Sequence, residues 1–335
     1  MKGIKELNIN HLINKKIMRT NNVLMAIATL AIAGCSQNEI TEQSPDTNAP
    51  IGFGVYTGVQ TKGTETTTNT LQADNVGFGV VALNTAKNAV YMTERNVIHN
   101  TGSWAYSNLA YWPADGTALN FYSFAPYTGS GITKTSFETI TPKIDFSVNT
   151  NMTNMVDLVA AEATASSGTV GLEFKHILTR VAFTASTEVT STTITVTGLE
   201  FPVVTGGEFY SSGTYDFINK TWGSLTPITD AFTVSDIGQE LNSTAQSLLG
   251  GDTDYLFCIP ANNSTGATAN KIELNIKYTM SSNGVNSNGT KTVFIPAGHF
   301  KMGVAYKYNF AIGLNAISFT VTSIESNWNE EPDNL

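Results

Sequence analysis

The sequence predicts an all-β protein built from antiparallel sandwiches, and three observations carry that expectation. Charged residues make up only 13% of the 335, while Gly, Ser, Thr and Asn are abundant. Short apolar runs recur with the period of two that puts one face of a strand into a core. No strands alternate with long helical patterns, as a parallel α/β sheet would require.

The elements follow in order. Ile51, Phe53, Val55 and Val59 alternate with Gly52, Gly54, Tyr56 and Gly58, so this first strand has one apolar face. Val76 to Leu83 (VGFGVVAL) is a second strand, apolar on both faces in its second half. Leu119–Ala125, Val156–Ala160, Val170–Phe174, Val181–Ala185 and Ile194–Phe201 continue the series. Tyr255–Ile259, Ile272–Tyr278, Val293–Ile295, Tyr306–Ile312 and Ile317–Val321 complete it. Ile237, Leu241, Ala245 and Leu248 share a helical face, which predicts one short helix within Asp236–Leu249. The length suits two sandwiches, 51–176 and 177–335, with the boundary near His176.

The front of the chain reads differently. Val23 to Ile32 is an apolar run too short to span a bilayer, preceded by Lys15, Lys16 and Arg19, as in a secretory signal. The run ends on Ile32-Ala33-Gly34-Cys35, which resembles a bacterial lipobox. Residues 1–34 are thus expected to be a lipoprotein signal peptide, Cys35 the lipidated residue, and 35–50 a polar tether. Residues 1–34 carry five Lys/Arg and one Glu, so their removal takes the formal charge from -9 to -13. A chain this acidic argues against nucleic acid as a partner. Cys258, in the apolar run Tyr-Leu-Phe-Cys-Ile-Pro, reads as a core residue rather than a nucleophile.

Catalytic and metal motifs are missing. His99, His176 and His299 are scattered without metal-ligand spacing, and no CxxC, HExxH, GxSxG or P-loop pattern occurs. Gly250 to Asp254 (GGDTD) reads as a turn, being too short for an EF-type calcium loop. No cofactor, metal or enzymatic activity is expected. Trp104, Tyr106, Tyr111 and Trp112 could form a carbohydrate-stacking platform, but aromatic residues at strand spacing more often fill a core.

Several segments in fixed order resemble the fimbrillins that build the type V pili of Bacteroidales. They are the lipobox, tether and first strand (Ile32 to Val59), and the aromatic turn Tyr111-Trp112-Pro113 with Leu119 to Pro126. Asp157 to Ala160 with Leu172 to Phe183, and the ending Gly313 to Val321, complete the set. The resemblance implies two transthyretin-like sandwiches in tandem. It also implies a lipoprotein held in the outer membrane through Cys35, exposed at the cell surface and incorporated into a fimbrium. A trypsin-like surface protease would cut at Lys62-Gly63, where the family usually carries arginine. Loss of the first strand (Ile51, Phe53, Val55, Val59) would open an apolar groove. The tail of another fimbrillin subunit, of the same or a different kind, would fill it, with Ile317, Phe319 and Val321 as the candidate donor residues. An adhesion ligand on a host or bacterial surface is the remaining expected partner. The competing reading is a surface glycan-binding lipoprotein that does not polymerise.

Overall fold

The computed structural model describes residues 49–57, 66–73, 76–205, 209–250, 255–260, 272–295 and 298–313, with backbone alone at 317–318 and 324–327. Among these the chain forms four β-sheets. The first has the order β1 (Gly52–Thr57), β9 (Thr169–His176), β8 (Val159–Ala165), β5 (Leu119–Ala125), β2 (Phe78–Asn84), β3 (Ala89–Asn100) and β4 (Ser103–Ala105). The second is β13 (Thr221–Pro227), β12 (Tyr210–Asp216), β7 (Lys143–Ser147) and β6 (Ile132–Thr133). In the third, β14 (Phe232–Val234), β11 (Thr193–Phe201), β18 (Ile272–Ser282) and β19 (Val285–Ile295) lie side by side, with β15 (Gln239–Glu240) also on β11. The fourth runs β16 (Gln246–Leu249), β10 (Thr179–Ser186), β20 (Val304–Ile312) and β21 (Ile317–Ser318), while β17 (Leu256–Cys258) pairs with β10 and β22 (Ile324–Asn327) with β20.

Two cores share the middle of the first sheet. Val80, Ala82 and Phe121 face one core together with Phe53, Phe78, Leu172 and Phe174. Val81, Leu83, Tyr122 and Phe124, one residue out of phase, face a larger core with Phe146, Phe183, Phe201 and Tyr308. β2 and β5 are therefore apolar on both faces because both faces are covered. Gly79 is required there, since a Cβ would come within 2.4 Å of the Phe124 ring.

Most pairs are antiparallel, as expected, but two are not. β1 runs parallel to β9, and β10 runs parallel to β20. In each case the two strands are far apart in the chain, and the crossover that a parallel pair needs is made of further strands rather than a helix. The turn from β9 to β10 is fixed on all sides. Ile177 N–H donates to Leu158 O at 3.1 Å and Gly303 N–H to Leu178 O at 2.9 Å. The buried Trp222 indole donates to Ile177 O at 2.7 Å.

The expected helix within 236–249 does not form. Asp236 and Gly238 both take φ of +61°, which a right-handed helix excludes, and the segment makes β15 and β16 instead. Leu241, Leu248 and Leu249 are buried all the same, so the apolar signal was real and its period was misread. A one-turn helix, α1 (Thr68–Leu71), forms where none was expected. Thr67 and Thr70 cap it reciprocally. β3, β7, β12 and β13 were also not foreseen. Their inward positions are few, for example Met92 and Val97 among twelve residues of β3, so the apolar alternation is faint.

Phe121 touches Phe53 and Trp112 with ring centroids at 6.0 and 5.8 Å. Phe121→Ala is expected to cost about 3–5 kcal/mol, read as a lower urea midpoint with an unchanged slope.

Candidate functional site

The region around β1 brings together most of the site residues that the sequence proposed. Ile51 and Phe53 are 1% and 6% exposed, and Val55 packs half-buried against the same core. Gly52 and Gly54 alternate with them, and Tyr56 is exposed. The fourth inward position falls to Thr57, which is buried. Val59, Lys62 and Gly63 lie outside the described residues, as do Cys35, the signal segment, the tether up to residue 48, the GDTD part of the Gly250 loop, Phe319 and Val321.

β1 has one ladder. It pairs with β9 from Gly52↔Thr169 to Thr57↔Phe174, at the edge of its sheet. Along its other side, among the described residues, it is held by isolated bonds rather than by a strand. Ile51 N–H donates to Ala110 O at 2.8 Å, and Pro50 bridges to Tyr111. The Tyr106 hydroxyl donates to Ile51 O at 2.8 Å. Burial pushes that phenol up in pKa, against the pull of its backbone bond at Ala110, so it stays a donor. Thr57 N–H donates to the Thr68 hydroxyl at 3.1 Å, and the two hydroxyls lie 2.8 Å apart.

The apolar floor under β1 is aromatic. Phe53 meets Phe78 edge-on at 5.9 Å and Tyr106 at 5.6 Å. Trp104 packs on Phe78 at 5.1 Å, and Trp112 is 3% exposed. Trp104, Tyr106 and Trp112 therefore belong to the core or pack against it, and only Tyr111 of the four aromatic residues is exposed. Among the described residues the buried Trp112 indole N–H has no hydrogen-bond partner.

A buried polar clasp stands where the chain re-enters after residue 65. Thr66 N–H donates to Asp157 Oδ2 at 2.7 Å, and the Thr66 hydroxyl donates to Asp157 O at 2.6 Å. His176 Nδ1 lies 3.0 Å from Asp157 Oδ2. All three residues are buried, Asp157 to 1% exposure. Sequence reasoning passed over Asp157 and Thr66. The one available signal was a carboxylate opening the apolar run DLVA. The two described residues that flank 58–65 are both tied, Thr57 to Thr68 and Thr66 to Asp157.

The other marked residues do not gather into a second site. His99 packs on Trp104 at 5.2 Å. His299 Nδ1 lies 3.0 Å from the Tyr308 hydroxyl. Cys258 is buried, and burial pushes its thiol well up, which makes it inert. Among the described residues no three His, Cys, Asp or Glu side chains are placed to hold a metal ion. At the C-terminal end, Ile317 lies in β21, which pairs with Ala311 and Ile312 of β20, and β22 pairs with Val304–Lys307.

Asp157→Ala leaves the Thr66 amide without its acceptor. The expected cost is about 1–3 kcal/mol for that buried group. Urea unfolding measures it, and proteolysis within 58–65 should accelerate in the same variant.

The fimbrillin-like family model matches residues 51–328. The chain is 36% identical over 377 aligned residues to the fimbrium subunit Fim1C of Phocaeicola vulgatus, covering 94% of this chain and 98% of that one. Among solved structures, a fimbrial protein from Bacteroides vulgatus superimposes with a TM-score of 0.67 at 28% identity, over 83% of this chain and 99% of that one. A first strand held on an apolar, aromatic floor, an all-β fold and near full-length similarity agree: the chain belongs to the fimbrillin-like family.

Proposed function

We propose that this chain is a structural, non-catalytic subunit of a cell-surface fimbria, joined to its neighbours by strand exchange at the β1 groove. One observation carries the reading. β1 buries Ile51 and Phe53, yet it forms a ladder with β9 alone and sits at a sheet edge. A strand so placed can be replaced by another of the same alternation without disturbing the remaining six strands of its sheet. Burial of Ile51 and Phe53 stabilises by roughly 1.5–3 kcal/mol each, so an emptied groove would have a matching drive to be refilled. The relatedness to a fimbrium subunit over nearly the whole chain supports the same reading.

Within this proposal Cys35 carries the lipid that fixes the subunit to the outer membrane, and 35–50 is the tether. Lys62-Gly63 is the processing site for a trypsin-like surface protease. Ile317, Phe319 and Val321 are the inward residues of the donor strand offered to the next fimbrillin subunit. The tandem arrangement is 51–176 and 177–335, each a transthyretin-like sandwich whose first strand runs parallel to a late one. Adhesion to a host or bacterial surface is the function of the assembled fibre.

Limited trypsin treatment of the native chain tests processing. The expected outcome is one dominant cut after Lys62, then SDS-resistant ladders by electrophoresis. Resistance of Lys62 in the folded chain would remove the processing step. Donor identity has its own test. A peptide spanning Gly313–Thr322 should raise the melting temperature of the cut subunit, and the same peptide with Phe319→Asp should not.

A further inference from the structure

A cavity of about 280 Å³ opens where β8 and β9 meet the β12–β13 hairpin. Its lining includes Glu173, Lys175 and His176 of β9, the strand that carries β1, but none of the inward residues of β1. Its volume stands at the small end of ligand sites, which run from roughly 300 to 1,000 Å³. That size suits one six-membered ring rather than a chain of them.

The walls define the chemistry. Ala160, Ile177 and Met302 give an apolar side. Four charged residues stand at the rim, and they neutralise each other in pairs. Lys220 is bonded to Glu162, and Lys175 lies 3.9 Å from Glu173. The paired charges balance, so the rim offers an ionic guest no net attraction over a neutral one.

Tyr215 supplies the observation that points to a guest. It lines the cavity and is only 5% exposed. Its ring is fixed by Phe217 at 5.2 Å and Trp222 at 5.6 Å. Its hydroxyl makes no hydrogen bond to the described residues and is not fully enclosed, so it is free to donate to a guest in the cavity. Burial, with the charges of Glu162 and Asp216 behind it, pushes this phenol up in pKa, so it stands in the cavity wall as a neutral donor.

We propose that this cavity binds a single neutral sugar ring, its C–H face on the Ala160, Ile177 and Met302 wall and its hydroxyls on Tyr215 Oη and the Glu162 carboxylate. An apolar face combined with several hydroxyls distinguishes a sugar from other small neutral solutes. The wall and the two polar groups match that combination.

Saturation-transfer NMR of the uncut chain with millimolar D-glucose, D-galactose or N-acetyl-D-glucosamine, each alone, is the test. Transfer to ring protons of at least one of them is expected. Tyr215→Phe should weaken that sugar about tenfold, the loss of one buried hydrogen bond, with the melting temperature kept near that of the parent. Glu162→Gln, at a half-exposed side chain whose replacement leaves the fold intact, should weaken it similarly. No transfer from any of the three sugars would overturn the proposal. So would transfer unchanged in Glu162→Gln and in a folded Tyr215→Phe.

Discussion

The peptide groups of Ile177 and Leu178 hold both parallel strand pairs in one piece. Ile177 N–H, Ile177 O and Leu178 O are bonded to Leu158, Trp222 and Gly303 respectively, and both side chains are buried in the larger core. β9 ends and β10 begins at this point, so the strand that carries β1 and the strand that carries β20 leave from one rigid corner. Buried backbone groups must be paired, and here the partners come from three distant parts of the chain. That requirement fixes where the β12–β13 hairpin lies. It also draws β12 onto β7, giving a sheet with strands from both sides of the corner.

β1 is the complement of that rigidity. Ile51 and Phe53 are buried in the first core, but the backbone around them is satisfied on one side by β9 and on the other by a tyrosine hydroxyl and a few single bonds. Apolar contact and backbone pairing are thus separated. The clasp ties Thr66 to Asp157, which also faces His176, so the chain beyond residue 65 has a hold in addition to the Thr57–Thr68 bonds that join it to β1.

Much of the fold was legible because burial on one face imposes a period of two. β5 was read to the residue, and β2, β9, β10, β11 and β20 within about three. Strands whose inward positions are small or polar, such as β8 with Ala160, Ala161 and Ala163, or β12 with Gly213 and Tyr215, have a weaker imprint. The segment 236–249 misled because Ile237, Leu241 and Leu248 are spaced for a helix, while positive φ at Asp236 and Gly238 is a property of backbone that spacing does not report. Of the site, the inward residues of β1 were legible for the same periodic reason. The Thr66–Asp157–His176 clasp and the Tyr215 cavity were not, because each joins residues far apart in the chain, 91 positions for Thr66 and Asp157, through side chains that have no pattern in sequence.

The parallel register of β10 on β20 has a mechanical meaning. In a parallel pair the start of one strand and the end of the other lie at opposite ends of the ladder. Tension entering through the Ile177–Leu178 corner and leaving through the end of β20 therefore slides the two strands past each other. The ladder from Arg180↔Ala305 to Ser186↔Ala311 then resists as a whole, whereas an antiparallel hairpin pulled from its ends opens one bond at a time. Strength under load is in this way set by strand direction, with no added disulfide and no larger core.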